Sequence, residues 1–150
     1  MKKILGIGSA LVDIMSRIDD DATLGRLGLP KGSMQLVSDD EAEAINKTLA
    51  ATTMAAGGSA ANTISGLAKM GVEAGFLGVV GDDEIGRFFE NEMTKTGVKP
   101  LLVKTTTPSG RVQAIVTPDG ERTFATCLGA SQELSRSEER RVGKECRSRW

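Results

Sequence analysis

Two polar features of this chain have residue types and spacing suited to chemistry. One is Gly57-Gly58-Ser59-Ala60-Ala61-Asn62. It lies where a β-type run, Thr52-Thr53-Met54-Ala55, gives way to a helical pattern with Ile64, Leu67, Ala68 and Met70 on one face. Glycines at such a junction let the backbone approach a ligand closely and take φ values closed to other residues. Ser59 is a good N-cap, the first helical turn offers unpaired N–H donors, and Asn62 one turn on can both donate and accept. The floor they form suits a hydroxylated ligand or an anion. The plainer alternative is a tight strand-to-helix turn with an ordinary cap. The second feature is Asp13. It follows the short apolar run Ile4-Leu5-Gly6-Ile7-Gly8, which reads as a buried parallel strand. In open α/β sheets ligands bind beyond the carboxyl ends of strands, where Asp13 falls. A solvated loop charge is the competing reading.

The elements that must position these residues are legible in order. Residues 12–18 and 33–37 read as short strands, separated by Asp19-Asp20-Asp21, a helical stretch near 24–27 and the turn Leu29-Pro30-Lys31-Gly32. The three aspartates lack alternating ligand spacing, so a solvated turn is favoured over a metal site. Ser38 with Glu41 forms a capping box and opens a helix to about residue 51. The helix 60–70 should end at Gly71 as a C′ glycine. A strand over 73–80 follows, then Gly81-Asp82-Asp83, with Asp82 or Asp83 capping a helix over 84–96 that ends at Gly97. This alternation predicts a parallel sheet with helices on both sides. Residues 101–104, 111–117 and 122–127 then read as a β-meander, with Pro118-Asp119-Gly120-Glu121 as a hairpin turn. Gln113 and Arg122 read as exposed polar positions rather than substrate contacts.

Composition narrows the function further. The 150 residues suffice for one domain with a real core. A net charge of −1 gives no overall sign of a nucleic-acid partner. Two cysteines, Cys127 and Cys146, make no disulfide framework and suit a reduced cytoplasmic setting. No run is apolar enough to span a membrane, and the glycine-broken segment after Met1-Lys2-Lys3 is a poor signal peptide. With no histidine, a zinc site is not expected, and with no tyrosine two common general bases are missing. Gly6-Ile7-Gly8-Ser9-Ala10-Leu11 is a broken dinucleotide fingerprint: Leu11 replaces the third glycine and no helix clearly follows.

The run Gly57-Gly58-Ser59-Ala60-Ala61-Asn62, followed by Gly71 and by Gly81-Asp82-Asp83, resembles the N-terminal signature of the ribokinase-like (PfkB) sugar and nucleoside kinases. The similarity runs from about residue 3 to residue 134. Ile64 departs from the small residue usual there, and Ser59 replaces a lysine; both point to the adenosine-kinase-like subgroup. The resemblance implies an α/β fold, the N-terminal part of a ribokinase-like Rossmann-type sheet with flanking helices and a small β lid. Residues 12–37 and 101–127 would contribute the lid. It also implies that Asp13 holds substrate hydroxyls, that Gly57, Gly58, Ser59 and Asn62 complete the cradle, and that Ser9 is a neighbouring polar position.

In that family the catalytic aspartate lies in a later Gly-Ala-Gly-Asp-type motif, which does not occur here; Gly81-Asp82-Asp83 matches a different position. The expectation is therefore the substrate-binding part of an ATP-dependent sugar or nucleoside kinase, with no catalytic residue of its own. ATP and Mg2+ are expected in the full-length parent and none on this fragment. A sugar or nucleoside is the expected partner, with no nucleic acid and no membrane, and a homodimer through the lid is possible in the parent. Residues 1–135 read as an incomplete kinase domain. Residues 136–150 carry six basic and three acidic residues and the only tryptophan. They look like a translated sequencing adapter and are read as a non-native tail. A non-catalytic sugar- or nucleoside-binding module is the alternative, with a nicotinamide-binding Rossmann domain a weaker one.

Overall fold

A computed structural model of the chain describes residues 3–135. The expected non-native tail, 136–150, lies outside the described residues. The elements run β1 (Ile4–Ile7), β2 (Leu11–Arg17), α1 (Ala22–Arg26), β3 (Met34–Leu36), α2 (Asp39–Thr48), β4 (Ala51–Gly57), α3 (Ser59–Lys69), β5 (Ala74–Gly81), α4 (Glu84–Lys95), β6 (Val98–Thr105), β7 (Gly110–Val116) and β8 (Arg122–Cys127), then a 3-10 turn over Gly129–Gln132.

The strands form two sheets. A parallel sheet has the order β1-β5-β6, and a mixed sheet has the order β3-β8-β7-β2-β4. In the second, β2 runs antiparallel to β4 and parallel to β7. The α/β class is as the sequence implies, with two differences. Residues 101–104, expected among the lid strands, belong to β6, which pairs with β5 from Ala74↔Val98 to Gly81↔Thr105. Only β7 and β8 form the expected hairpin.

The second difference concerns the helices. Phe76 and Val80, at alternate positions of β5, join Ala61 and Ile64 of α3 and Phe89 and Met93 of α4 in one buried cluster. Both helices therefore cover the same face of the parallel sheet. The cause is topological: β5 lies beside β1 and β6 beyond β5, so two right-handed crossovers in one direction place both helices on one side. The Phe76 and Phe89 rings meet at 5.5 Å with a 53° tilt, a favourable aromatic arrangement.

The same cluster takes Val12 and Ile14 from β2, so α4 also supports the mixed sheet. A second cluster packs Leu24, Leu29, Ile45 and Leu49 against Ile115 and Ala125 of the mixed sheet. Local chemistry sets several boundaries as read. Ser38 Oγ accepts from Glu41 N while Glu41 Oε2 accepts from Ser38 N at 2.7 Å, completing the capping box. Gly71, Gly97 and Gly120 take positive φ at the ends of α3 and α4 and in the β7–β8 turn. Gln113 differs from its expected exposed place: it is 1% exposed, and neither side-chain polar atom has a hydrogen-bond partner. Its parallel partner Ile14 faces the core, and Gln113 shares that face.

Candidate functional site

The antiparallel β2–β4 pair builds the site. Leu11 pairs with Gly57, and Asp13 with Ala55, so the carboxylate rises beside the end of β4. A Cβ placed on Gly57 would stand 2.6 Å from Asp13 Oδ2 and 2.8 Å from Cγ, closer than real contacts allow. Glycine at 57 is thus what lets Asp13 lie against the backbone. Gly58 follows at φ 96°, a left-handed value that glycine adopts without strain. A Cβ there would fall 2.6 Å from the carbonyl oxygen of Ser9. The two glycines seat β4 and the start of α3 against the β1–β2 turn.

Ser59 is placed differently from expectation. The N-cap of α3 is Gly58, with no side-chain cap bond, and Ser59 is the first helical residue. Gly58 O takes the Asn62 amide at 2.9 Å, and Ser59 O takes the Thr63 hydroxyl at 2.9 Å. A glycine N-cap leaves the first-turn N–H groups without a side-chain acceptor, which preserves them for another partner. Ser59 lines an open groove with Gly6, Ile7 and Thr63. Ser59, Asn62 and Ser9 are exposed.

Asp13 is half-buried, and its carboxylate has no hydrogen-bond or ion-pair partner among the described residues. Burial pushes its carboxyl above the ordinary 3.8. An unpaired, partly desolvated carboxylate is an acceptor-only group suited to ligand hydroxyls. It also disfavours an anion at the neighbouring helix start, so of the two ligand types the sequence leaves open, the geometry favours the hydroxylated one. The structure thus brings Asp13, Gly57, Gly58 and the Ser9 backbone together. It places Ser59 and Asn62 on the first turn of α3, without contact to Asp13 through any hydrogen bond.

Sequence reasoning missed two glycines that hold the Ser9 turn. A Cβ on Gly78 would stand 3.0 Å from Gly8 O, and one on Gly110 would stand 3.2 Å from Ala10 O. The available signal was a lone glycine inside the apolar run Phe76-Leu77-Gly78-Val79-Val80, which marks close backbone approach. The nicotinamide fingerprint does not hold: Gly6-Ile7-Gly8 leads into strand β2 rather than a helix, so no helix N-terminus follows it.

The described residues form a two-sheet α/β arrangement in which an unpaired carboxylate lies against a glycine turn. Comparison with known proteins gives the family. The pfkB family carbohydrate kinase model matches residues 32–148, and the chain belongs to that family. The match extends into residues 136–148. Guanosine-inosine kinase of Escherichia coli (strain K12) is 32% identical over an alignment of 141 positions that covers 87% of this chain and 32% of that protein. The structure of adenosine kinase from Sinorhizobium meliloti superposes with TM-score 0.78 at 37% identity, covering 91% of this chain and 42% of that one. A probable sugar kinase from Rhizobium etli CFN 42 gives TM-score 0.80 at 34% identity, with the same coverages. The chain thus spans between about a third and two fifths of the length of these relatives. Among the described residues no helix is long and apolar enough to cross a membrane.

Proposed function

We propose that this chain supplies the part of a cytoplasmic sugar or nucleoside kinase that holds the hydroxylated substrate. Asp13 accepts hydrogen bonds from substrate hydroxyls. Gly57 and Gly58 admit the ligand close to the backbone, and Ser9, Ser59 and Asn62 offer further polar groups at the rim. The observation that carries this reading is the Asp13 carboxylate, half-buried against Gly57 and without a protein partner. Two of the relatives, a guanosine-inosine kinase and an adenosine kinase, are nucleoside kinases, which favours a nucleoside.

ATP with Mg2+ is the phosphoryl donor that this reading expects in the longer parent kinase. Phosphoryl transfer is assigned to a later Gly-Ala-Gly-Asp-type motif, which does not occur in these 150 residues. The 150-residue chain should bind ligand without transferring phosphate.

Calorimetric titration with adenosine, guanosine, ribose and fructose tests the reading. Saturable binding of at least one is expected. In Asp13→Ala the affinity should fall about 10- to 100-fold, the usual effect of losing hydrogen bonds to a charged acceptor. Equal affinity in Asp13→Ala, or phosphorylation of any of these compounds by the purified chain, would contradict it.

A further inference from the structure

At the end of β5, Gly81 turns the chain into α4, and Asp83 is the N-cap of that helix. Capping uses one hydrogen bond: Asp83 Oδ1 accepts from Gly86 N at 2.7 Å. The carboxylate does more. Oδ2 accepts from Ser109 N at 2.8 Å, and Oδ1 accepts from Ser109 Oγ at 2.7 Å. Ser109 Oγ in turn accepts from Gly81 N at 2.8 Å. Ser109 is 1% exposed, so the serine side of the knot is buried, while Asp83 remains part-exposed. Glycines make room for it: a Cβ on Gly81 would stand 2.5 Å from Thr107 O, and one on Gly86 would stand 2.9 Å from Ser109 Oγ.

The residue after Ser109 opens β7. Gly110 pairs with Leu11, Arg111 with Val12 and Val112 with Asp13. A Cβ on Gly110 would stand 2.6 Å from Leu11 Cδ2, so this end of β7 presses directly on the strand that carries Asp13. The knot therefore joins the last residue of β5 to the residue just before the first paired position of β7. Ser109 lies three residues before Val112, the strand partner of the candidate ligand-holding Asp13.

We propose that Asp83 is a positioning residue: by fixing Ser109 it sets β7 against β2 and thereby the place of the Asp13 carboxylate. The inference rests on the reading of Asp13 as the group that holds ligand hydroxyls. It gives Gly81-Asp82-Asp83 a role in aligning the cradle, without contact to ligand.

The test uses the whole chain and two substitutions. Asp83→Asn keeps one oxygen for Gly86 N but replaces the acceptor for Ser109 N with an amide donor. Ser109→Ala leaves the cap intact and removes the hydroxyl bonds. Amide hydrogen exchange is measured across residues 11–13, 85–88 and 110–112. In both variants exchange at 11–13 and 110–112 should quicken by about tenfold or more, with 85–88 unchanged in Ser109→Ala. Affinity for adenosine should fall in parallel. Unchanged exchange at 11–13 in both variants, or quickening confined to 85–88, would show that Asp83 only caps α4 and would overturn the proposal. So would quickened exchange with undiminished adenosine affinity. If the unsubstituted chain binds no nucleoside or sugar, the reading of Asp13 fails, and the exchange pattern alone decides whether Asp83 positions β2.

Discussion

Asp13 and Asp83 each lie against glycines at the meeting of the two sheets, and their surroundings are opposite. Asp83 receives three hydrogen bonds, from Gly86 N, Ser109 N and Ser109 Oγ. Burial alone would raise its carboxyl, but these bonds outweigh it and hold the group below the ordinary 3.8. Asp13 has burial without bonds and stands above 3.8. A carboxylate bonded to the backbone of a neighbouring segment holds the fold together; one without protein partners is, in the reading proposed above, kept for a ligand. The contrast shows that residue type and a glycine neighbour do not separate the two roles. The hydrogen-bond census does.

Substitutions should split along this line. The largest effect is expected for Asp83→Ala, which removes a cap and strands the Ser109 amide. It should cost about 2–4 kcal/mol of stability at neutral pH, read by urea unfolding. Because the folded pKa of Asp83 lies below its ordinary value, this stabilisation is present above about pH 3.8 and is lost as pH falls through the folded value. The gap between Asp83→Ala and the unsubstituted chain should therefore narrow in acid. A cost that stays constant with pH would break the comparison.

Gly57→Ala should act on the site more than on the fold. The added methyl must displace the Asp13 carboxylate, so affinity should fall as far as in Asp13→Ala. The stability cost should be about 1–3 kcal/mol, typical of overpacking. Full affinity in this variant would mean that the close Asp13–Gly57 approach is irrelevant to binding.

The smallest effect is expected for Asp13→Asn, and its sign is opposite to that of Asp83→Ala. A raised folded pKa means that Asp13 contributes stability below about pH 3.8, lost as pH rises through the folded value. Asn should therefore raise the melting temperature at pH 7 by about 2 °C, a small shift because the group is only half-buried. The gain should vanish below pH 3.8. A lower melting temperature at pH 7 would show that Asp13 is stabilising and not poised for a ligand.

Much of this was legible in the sequence where one short-range device acts. Ser38 with Glu41 gave the start of α2, and Gly71 and Gly97 gave helix ends, because capping is decided within a few residues. The glycine turn at Gly57-Gly58 was also legible, since few residues but glycine allow it. The long-range arrangements were not. Whether residues 101–104 pair with β5 or with the lid strands depends on sheet topology, which their alternation does not encode. Ser59 was read as the cap because serine favours that position, but the backbone reaches φ 96° one residue earlier, where only glycine fits well. Gln113 shows the same limit: its polarity suggested exposure, and the pairing with Ile14 buried it. Asp13 was singled out by its place after the first strand, but its lack of partners became visible only in three dimensions.

The most direct test is to follow the side-chain carboxyl carbons of Asp13 and Asp83 by 13C NMR through an acid titration, with and without the nucleoside or sugar that binds. Asp13 should titrate above 3.8 and Asp83 below it, and ligand should lower the Asp13 midpoint while leaving Asp83 in place. Coincident midpoints for the two aspartates, or an Asp13 midpoint indifferent to bound ligand, would contradict the assignment of Asp13 as the ligand-holding carboxylate.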